Sequence, residues 1–162
     1  MTNSVPATHL TEALKLEAEG YVDLFKIVFY QSSTLYIKSD NTVSWNGQVW
    51  EGIALKLTGV ASYGDTQVSR PKLQLQNPDA IWSPFVSEGV LEGAMVTRYR
   101  VLNSDLAANN PVYISQTWQV GRVMSCTRLY IIMELRSLID APNFLIPARL
   151  FAPPAFPTVS TP

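Results

Sequence analysis

The sequence predicts a mainly β fold of the α+β class, a β-barrel or sandwich-like sheet of about seven or eight strands. Short segments with alternating or two-sided apolar patterns recur along the chain, separated by Gly, Pro, Asn and Asp turn residues. No strand–helix–strand rhythm appears, which argues against a parallel α/β sheet. A chain of 162 residues has the length of one domain that buries a core without a disulfide or a metal.

The chain starts with a predicted helix and a central strand. Thr8 is the expected N-cap of a helix that runs to about Ala18, with Gly20 as its C-cap. Residues 21–30 are rich in aromatic and β-branched side chains and are apolar on both faces. This pattern predicts a strand that is covered on both sides.

A hairpin is the clearest local prediction. Asn46 and Gly47 lie between strand-like residues, and a two-residue hairpin turn needs a positive φ at both positions. Further strands are predicted at residues 35–38, 55–62 and 69–76. Pro71, which cannot donate a ladder hydrogen bond, marks the start of the last of these or a sheet edge.

The second half of the domain continues this pattern. A turn at residues 77–80 leads into one short internal helix at residues 81–88. A strand is predicted at residues 95–102, followed by a loop of small polar residues. Two final strands are predicted at residues 113–124 and 126–135.

The C-terminal segment differs in composition from the rest. Six of the eleven prolines follow Asp140, and Arg149 is the only charged side chain there. Proline favours extended conformations, but disordered segments are normally charged and poor in aromatic residues, whereas this one carries Phe151 and Phe156. We expect an extended arm that docks either on its own domain or, as we favour, on a neighbouring subunit.

The predicted organisation is therefore a single β-rich domain, residues 1–149, and a Pro-rich arm, residues 150–162. A net charge of −1 argues against sequence-specific nucleic-acid binding, which needs a basic excess. Residues 1–69 hold four Lys against seven acidic residues, and residues 70–162 hold eight basic against six acidic residues. The two halves could attract each other or a neighbouring copy, or the division could be chance. No run of about 18 apolar residues predicts a membrane span.

Residues with catalytic or ligand chemistry are few. His9 is the only histidine and is expected to be solvated in the first helical turn, and Cys126 is the only cysteine and is expected to be a small buried side chain. Glu88 and Glu92 are the nearest approach to a paired-carboxylate site, but surface turn positions suit them better. We therefore expect no catalytic residues, metal or cofactor, and no enzyme.

Two other residue groups suggest binding. Four tryptophans could form a platform for a sugar, which gives a carbohydrate- or receptor-binding β-module as the alternative function, although core packing is the favoured interpretation. Arg98 and Arg100 share one face of a strand, where they could bind an anion or bridge to acids of a partner subunit. The enrichment of Arg at interfaces favours the second option. The predicted interface residues are Arg70, Arg98, Arg100, Arg149, Phe151 and Phe156.

Taken in order, several segments resemble the minor tail protein L family of lambda-like, long-tailed bacteriophages. The resemblance includes the N-terminal helix and long apolar strand, the aromatic hairpin at residues 45–50, and the strand SRPKLQLQN at residues 69–77. It continues through Leu91-Glu92-Gly93-Ala94, the basic strand at residues 97–101 and Pro147-Ala148-Arg149. The resemblance covers nearly the whole chain, to about Arg149.

The resemblance implies a structural virion protein of a tail tip or baseplate hub, assembled in the host cytoplasm. Such proteins are expected to form a trimeric ring between the tail tube with its distal tail ring and the central host-recognition protein. The ring would line the DNA conduit and hold it closed until the receptor is engaged.

The chain departs from this family in one respect. Lambda-like members continue into a C-terminal domain whose cysteines hold an iron–sulfur cluster, and no such cysteines are present here. The resemblance is therefore to the N-terminal domain alone, and cluster binding is not carried over.

Overall fold

The computed structural model describes residues 5–15, 17–29, 33–60 and 70–138. Within these ranges nine strands form a single sheet, accompanied by three short α-helices and one 3-10 helix at Pro78–Ala80. The α-helices are α1 (Ala7–Ala13), α2 (Ser83–Ser87) and α3 (Asn103–Ala107). The strands are β1 (Tyr21–Val28), β2 (Thr34–Lys38), β3 (Val43–Trp45), β4 (Gln48–Gly52), β5 (Leu55–Thr58), β6 (Lys72–Gln76), β7 (Met95–Leu102), β8 (Ile114–Cys126) and β9 (Tyr130–Arg136).

The strand order across the sheet is β3-β4-β2-β1-β7-β8-β9-β6-β5. All neighbours are antiparallel except β2 and β4, which are parallel. The prediction of a mainly β fold with an N-terminal helix is confirmed, with nine strands in the described residues rather than seven or eight. The order leaves β3 and β5 at the two edges of the sheet.

Strand β1 is central and is covered on both faces, as its two-sided apolar pattern predicts. Phe25 and Ile27 point into the main core, a buried cluster that also holds side chains from β2, β6, β7, β8 and β9. Leu24 points to the opposite face, into a smaller cluster with Trp45 and Trp50 that we call the hairpin core. Alternate side chains of one strand thus serve two separate cores.

The hairpin core is closed by the β3–β4 hairpin. Asn46 and Gly47 have φ values of 51° and 72°, which confirms the predicted turn. The Trp45 indole donates a hydrogen bond to the Asn110 carbonyl at 3.0 Å, and the Asn46 amide donates one to the Asn109 side chain at 2.8 Å. The hairpin is therefore fixed to the segment that follows α3.

Asn77 joins the end of β6 to the β8–β9 turn. Its side chain is fully buried, donates to the Thr127 carbonyl at 2.5 Å and accepts from the Trp82 amide at 2.9 Å. Its backbone amide donates to the Leu129 carbonyl at 2.9 Å. One side chain thus positions both the turn and the start of α2.

The N-terminal helix differs from its prediction. It begins after Pro6 rather than at Thr8 and ends at Ala13 rather than near Ala18. Leu10 and Leu14, which are four residues apart and share one side of a helix, face outward at 55% and 87% exposure, so a longer helix would have no apolar face to bury. The helix packs instead through His9 and Glu12, the two residues of α1 that are buried.

A second difference lies at residues 103–111, where a loop was predicted. The first part of this segment forms helix α3. The Glu19 carboxylate accepts hydrogen bonds from the amide and the hydroxyl of Ser104 in the first turn, the hydroxyl at 2.8 Å. This capping group comes from far away in the sequence, so local propensity could not indicate it.

Candidate interaction surfaces

Two groups of arginines lie on opposite faces of the sheet. The inner arginine pair, Arg98 and Arg100 on β7, lies on the face that carries the main core. Arg98 donates from Nη2 to Asp23 Oδ2 at 2.5 Å and Arg100 donates from Nε to Asp23 Oδ1 at 3.2 Å. Both guanidiniums therefore share one carboxylate on β1, which fixes them at the polar end of the core.

Further contacts hold this pair. Arg98 is only 8% exposed, and its Nη1 donates to Gln116 Oε1 on β8 at 3.3 Å. The Arg100 guanidinium carbon lies 5.6 Å from the ring centroid of Tyr21, in cation–π geometry. Burial of the Asp23 carboxylate raises its pKa above the usual value, and the charge of Arg100 acts in the opposite direction.

The inner arginine pair lines a cleft of about 780 Å³. The sheet curves so that Leu55 and Leu57 of the edge strand β5 lie across this cleft from β1 and the end of β2. Lys38, Asp40 and Lys56 add further charges to its rim. The cleft is open, and its described lining mixes charged and apolar side chains.

The outer arginine cluster consists of Arg70, Arg122 and Arg136 around Glu134 and lies on the other face of the sheet. Arg122 is directly opposite Glu134 in the β8–β9 register. Its Nε donates to Glu134 Oε2 at 3.1 Å, and Arg70 Nη1 donates to Glu134 Oε1 at 3.2 Å. Arg136 Nε lies 3.6 Å from Oε1 of the same carboxylate.

The exposure of this cluster is uneven. The Glu134 side chain is 6% exposed, whereas those of Arg70 and Arg122 are 56% and 59% exposed. Burial alone would raise the pKa of Glu134, but Arg122, assisted by Arg70 and Arg136, lowers it below its ordinary value of 4.5. The carboxylate is therefore held ionised beneath a layer of guanidiniums.

Gly121 makes room for Arg136. It lies at a register shift between Val120 and Arg122, where β8 bulges against β9. A Cβ atom at Gly121 would come within 2.3 Å of Arg136 Nε and 2.7 Å of its Cδ. The absence of a side chain at this position lets Arg136 lie across β8 toward Glu134.

The interface residues predicted from the sequence are distributed as follows. Arg98 and Arg100 do share a face, and their partner within the described residues is the internal Asp23. Arg70 belongs to the outer cluster, whose members Arg122 and Arg136 were not predicted because their convergence depends on long-range strand pairing. The arm residues Arg149, Phe151 and Phe156 and the domain boundary at residue 149 lie outside the described residues.

The tryptophans are packed inside the domain. Trp45, Trp50 and Trp82 are 2%, 2% and 4% exposed, and Trp118 packs against the main core. Trp50 makes edge contacts with Tyr36 and Tyr99 at centroid distances of 5.0 and 5.8 Å. The favoured core-packing interpretation is confirmed, and these four side chains do not form a flat exposed platform.

Two of the other predictions about single residues are wrong. His9 is buried rather than solvated, with its ring stacked on Tyr21 at 5.7 Å, because α1 packs through this side. Cys126 is exposed rather than buried, because β8 ends there at the turn to β9. Glu88 and Glu92 are exposed near the α2–β7 connection, as expected.

In residues 5–15, 17–29, 33–60 and 70–138, no group of three or more His, Cys, Asp or Glu side chains is placed to hold a metal ion. In the same part of the chain, every helix is too short to span a membrane.

Comparisons with known proteins show a similarity of fold to a solved structure. No family model and no curated protein matches the chain. A chain in the solved structure described as the virion of a native gene transfer agent (GTA) particle has a similar fold, with a TM-score of 0.63 and 16% sequence identity. The similarity covers 85% of this chain and 47% of that chain, so this chain spans about half the length of its structural neighbour. A sequence identity of 16% supports a shared fold and nothing more specific.

Proposed function

We propose that this chain is a structural protein of a bacteriophage or phage-like virion and that it acts through contacts with other virion proteins rather than through catalysis. The observation that carries the proposal is the fold that most of the chain shares with a chain of a gene transfer agent virion. The arginine groups support it, since they are arranged for pairing with carboxylates and lack the nucleophile and base of an active site.

The more specific proposal is a place in the tail tip. The order of sequence segments resembles the N-terminal domain of the minor tail protein L family, whose members are expected between the tail tube and the central host-recognition protein. In this position the chain would form a ring, with three copies expected, that lines the DNA conduit. The resemblance and the virion neighbour are independent observations, and both favour a virion role.

The sheet offers a physical means of assembly. Its edge strands β3 and β5 each have one neighbour among the described strands, so each leaves a row of backbone groups that another chain could pair with. A ring subunit needs such self-complementary or head-to-tail edges. The C-terminal arm, residues 150–162, is the second proposed contact, with Phe151 and Phe156 as apolar anchors.

The carbohydrate-binding alternative has less support. Stacking on a sugar needs an exposed aromatic face. Trp45, Trp50 and Trp82 are instead buried, and each indole donates a hydrogen bond to a backbone carbonyl inside the domain.

A direct test is to delete the gene from the element that encodes this chain and to purify the particles. If the chain is a tail component, mass spectrometry detects it in wild-type particles at a constant ratio to the other tail proteins. Particles from the deletion strain then have incomplete tails, and expression of the chain in trans restores them. Wild-type particles that lack the chain would refute the proposal.

The arm is tested separately by deleting residues 150–162. We expect the truncated chain to be incorporated poorly into particles while the isolated domain unfolds at nearly the same temperature. As a control, an arm of the same length with Phe151→Ser and Phe156→Ser separates the loss of the apolar anchors from the loss of chain length. Normal incorporation of both variants would remove the arm from the proposed interface.

A further inference from the structure

The outer arginine cluster carries more positive charge than its one carboxylate neutralises. Arg70, Arg122 and Arg136 surround Glu134, so within the described residues three guanidiniums share a single negative charge. Lys72, which is opposite Glu134 on β6, adds a further positive charge at the same place. The chain as a whole has a net charge of −1, so this excess is a local property of one face of the sheet.

Several hydrogen-bond donors of the cluster have no partner among the residues that the structure describes. A guanidinium carries five N–H groups, and the contacts with Glu134 use Nη1 of Arg70 and Nε of Arg122. Arg136 Nε is buried and makes no hydrogen bond to the described residues, so it is not one of the donors that a partner can reach. The terminal nitrogens of Arg122 project from a side chain that is 59% exposed. The geometry suits forked hydrogen bonds to a planar carboxylate.

The cluster is also held in place before any partner arrives. The buried Glu134 anchors all three arginines, and the missing side chain at Gly121 gives Arg136 its path across β8. Pre-positioned side chains lose less conformational entropy on binding than free ones. These features distinguish the cluster from isolated surface arginines such as Arg128.

The chemistry of the partner follows from the size and charge of the patch. Nucleic acid would need a wide basic surface that neutralises many phosphates, and the chain as a whole has no basic excess. A compact group of arginines suits one or two carboxylates at a protein interface, where Arg is enriched. An acidic protein segment therefore fits this surface better than nucleic acid.

We infer that the outer arginine cluster is a docking site for an acidic segment of a neighbouring virion protein, whose carboxylates pair with Arg70, Arg122 and Arg136. The inference rests on the proposed virion function and names the chemistry of one of its contacts. The occupant is a different protein of the virion, recognised through the complementarity between its carboxylates and the guanidiniums of the cluster. Pairing with a second copy of this chain is an outcome of the test that would overturn the proposal.

The first experiment uses zero-length cross-linking in intact particles. Arg122→Lys places a primary amine at the cluster, and a water-soluble carbodiimide joins an amine to a carboxylate that is in contact with it. Peptide mapping of treated particles should show a cross-link from position 122 to an Asp or Glu of another polypeptide. Arg128→Lys, at the exposed β8–β9 turn outside the cluster, is the matched control and should give no such link.

The possible results distinguish failure of the docking site from failure of the proposed virion function. If the Arg122→Lys chain is in the particle but position 122 links only to residues of this chain's own sequence, such as Glu134, the docking site is refuted while the virion function stands. An ultraviolet cross-link between packaged nucleic acid and this face would show that the cluster contacts nucleic acid, and it would also overturn the proposed docking site. Absence of the chain from particles would refute the proposed function itself.

Charge reversal provides a second measurement. Arg122→Glu should lower incorporation into particles by about tenfold or more, since it places a like charge opposite the acidic partner. Arg128→Glu should leave incorporation within about twofold. Circular dichroism and thermal unfolding of both isolated variants check that each is folded. Equal incorporation of two folded variants would contradict the docking site.

Discussion

The Asp23 carboxylate on β1 and the Arg98 guanidinium on β7 form an ion pair, with 2.5 Å between Oδ2 and Nη2. The two residues are diagonal neighbours, since the residue directly opposite Asp23 is Arg100 and the residue opposite Arg98 is Phe25. The pair lies on the core side of the sheet, next to Phe25. It therefore ends the main core with an ion pair formed inside the domain, in which Arg98 Nε is buried and makes no hydrogen bond to the described residues.

Replacing Asp23 tests the cost of breaking this arrangement. Asp23→Ala leaves the buried Arg98 without its carboxylate, and we expect the free energy of unfolding to fall by about 2 kcal/mol. Urea denaturation of the isolated domain measures the change. Glu88→Ala, at an exposed acidic position, should change stability by less than about 0.5 kcal/mol. Equal stability of the two variants would show that the pair is not a determinant of the fold.

Asn77 provides a second stability prediction. Asn77→Ala removes the side-chain groups that pair with the Thr127 carbonyl and the Trp82 amide, and leaves the Trp82 amide buried without its partner. We expect a loss of about 2–3 kcal/mol, measured as a lower urea midpoint at an unchanged slope. Asn109→Ala, which removes one exposed contact to the hairpin, should cost less. A smaller effect for Asn77 than for Asn109 would contradict its role as a connector.

The lowered pKa of Glu134 predicts a dependence of stability on pH. Because the folded-state pKa is below the ordinary value of 4.5, the unfolded chain binds the proton more readily in acid. The stabilising contribution is therefore present above about pH 4.5 and is lost as the pH falls through the folded-state pKa. Unfolding measured from about pH 6 to about pH 3 should show a steeper loss for the wild type than for Glu134→Gln. Parallel curves would contradict the assignment.

Gly121→Ala displaces the Arg136 side chain but keeps its positive charge, so it tests whether the position of Arg136 matters. The added Cβ would overlap the Arg136 side chain, which must move away from Glu134. We expect a small loss of stability, about 1 kcal/mol, together with weaker incorporation into particles. Arg136→Ala should weaken incorporation to a similar extent, and the double variant should add little. Additive effects of the two substitutions would show that Gly121 acts independently of Arg136.

Turn residues and strand periodicity in the sequence predicted those elements whose structure depends on residues close together in the chain. The Asn46–Gly47 turn and strand β7 follow from residues within a few positions of one another. The two-sided apolar pattern of β1 also indicated its central place. Helix α3 could not be predicted because Glu19 caps it from 85 positions away.

The candidate site was predicted only in part for the same reason. Arg98 and Arg100 are two residues apart on one strand, so their common face follows from the period of a strand. Arg70, Arg122 and Arg136 converge only when β6, β8 and β9 pair in their actual register, with a bulge beside Gly121. The exposed Cys126 and the buried His9 likewise depend on where a strand ends and on which side a short helix packs.

The most direct test of the central claim, that this chain is a structural component of a virion tail, is an electron cryomicroscopy reconstruction of the intact particle. We predict density for the nine-stranded domain in a ring at the tip of the tail, with the outer arginine cluster facing acidic residues of an adjacent chain. A complete tail reconstruction in which every subunit is assigned to other proteins would contradict the account.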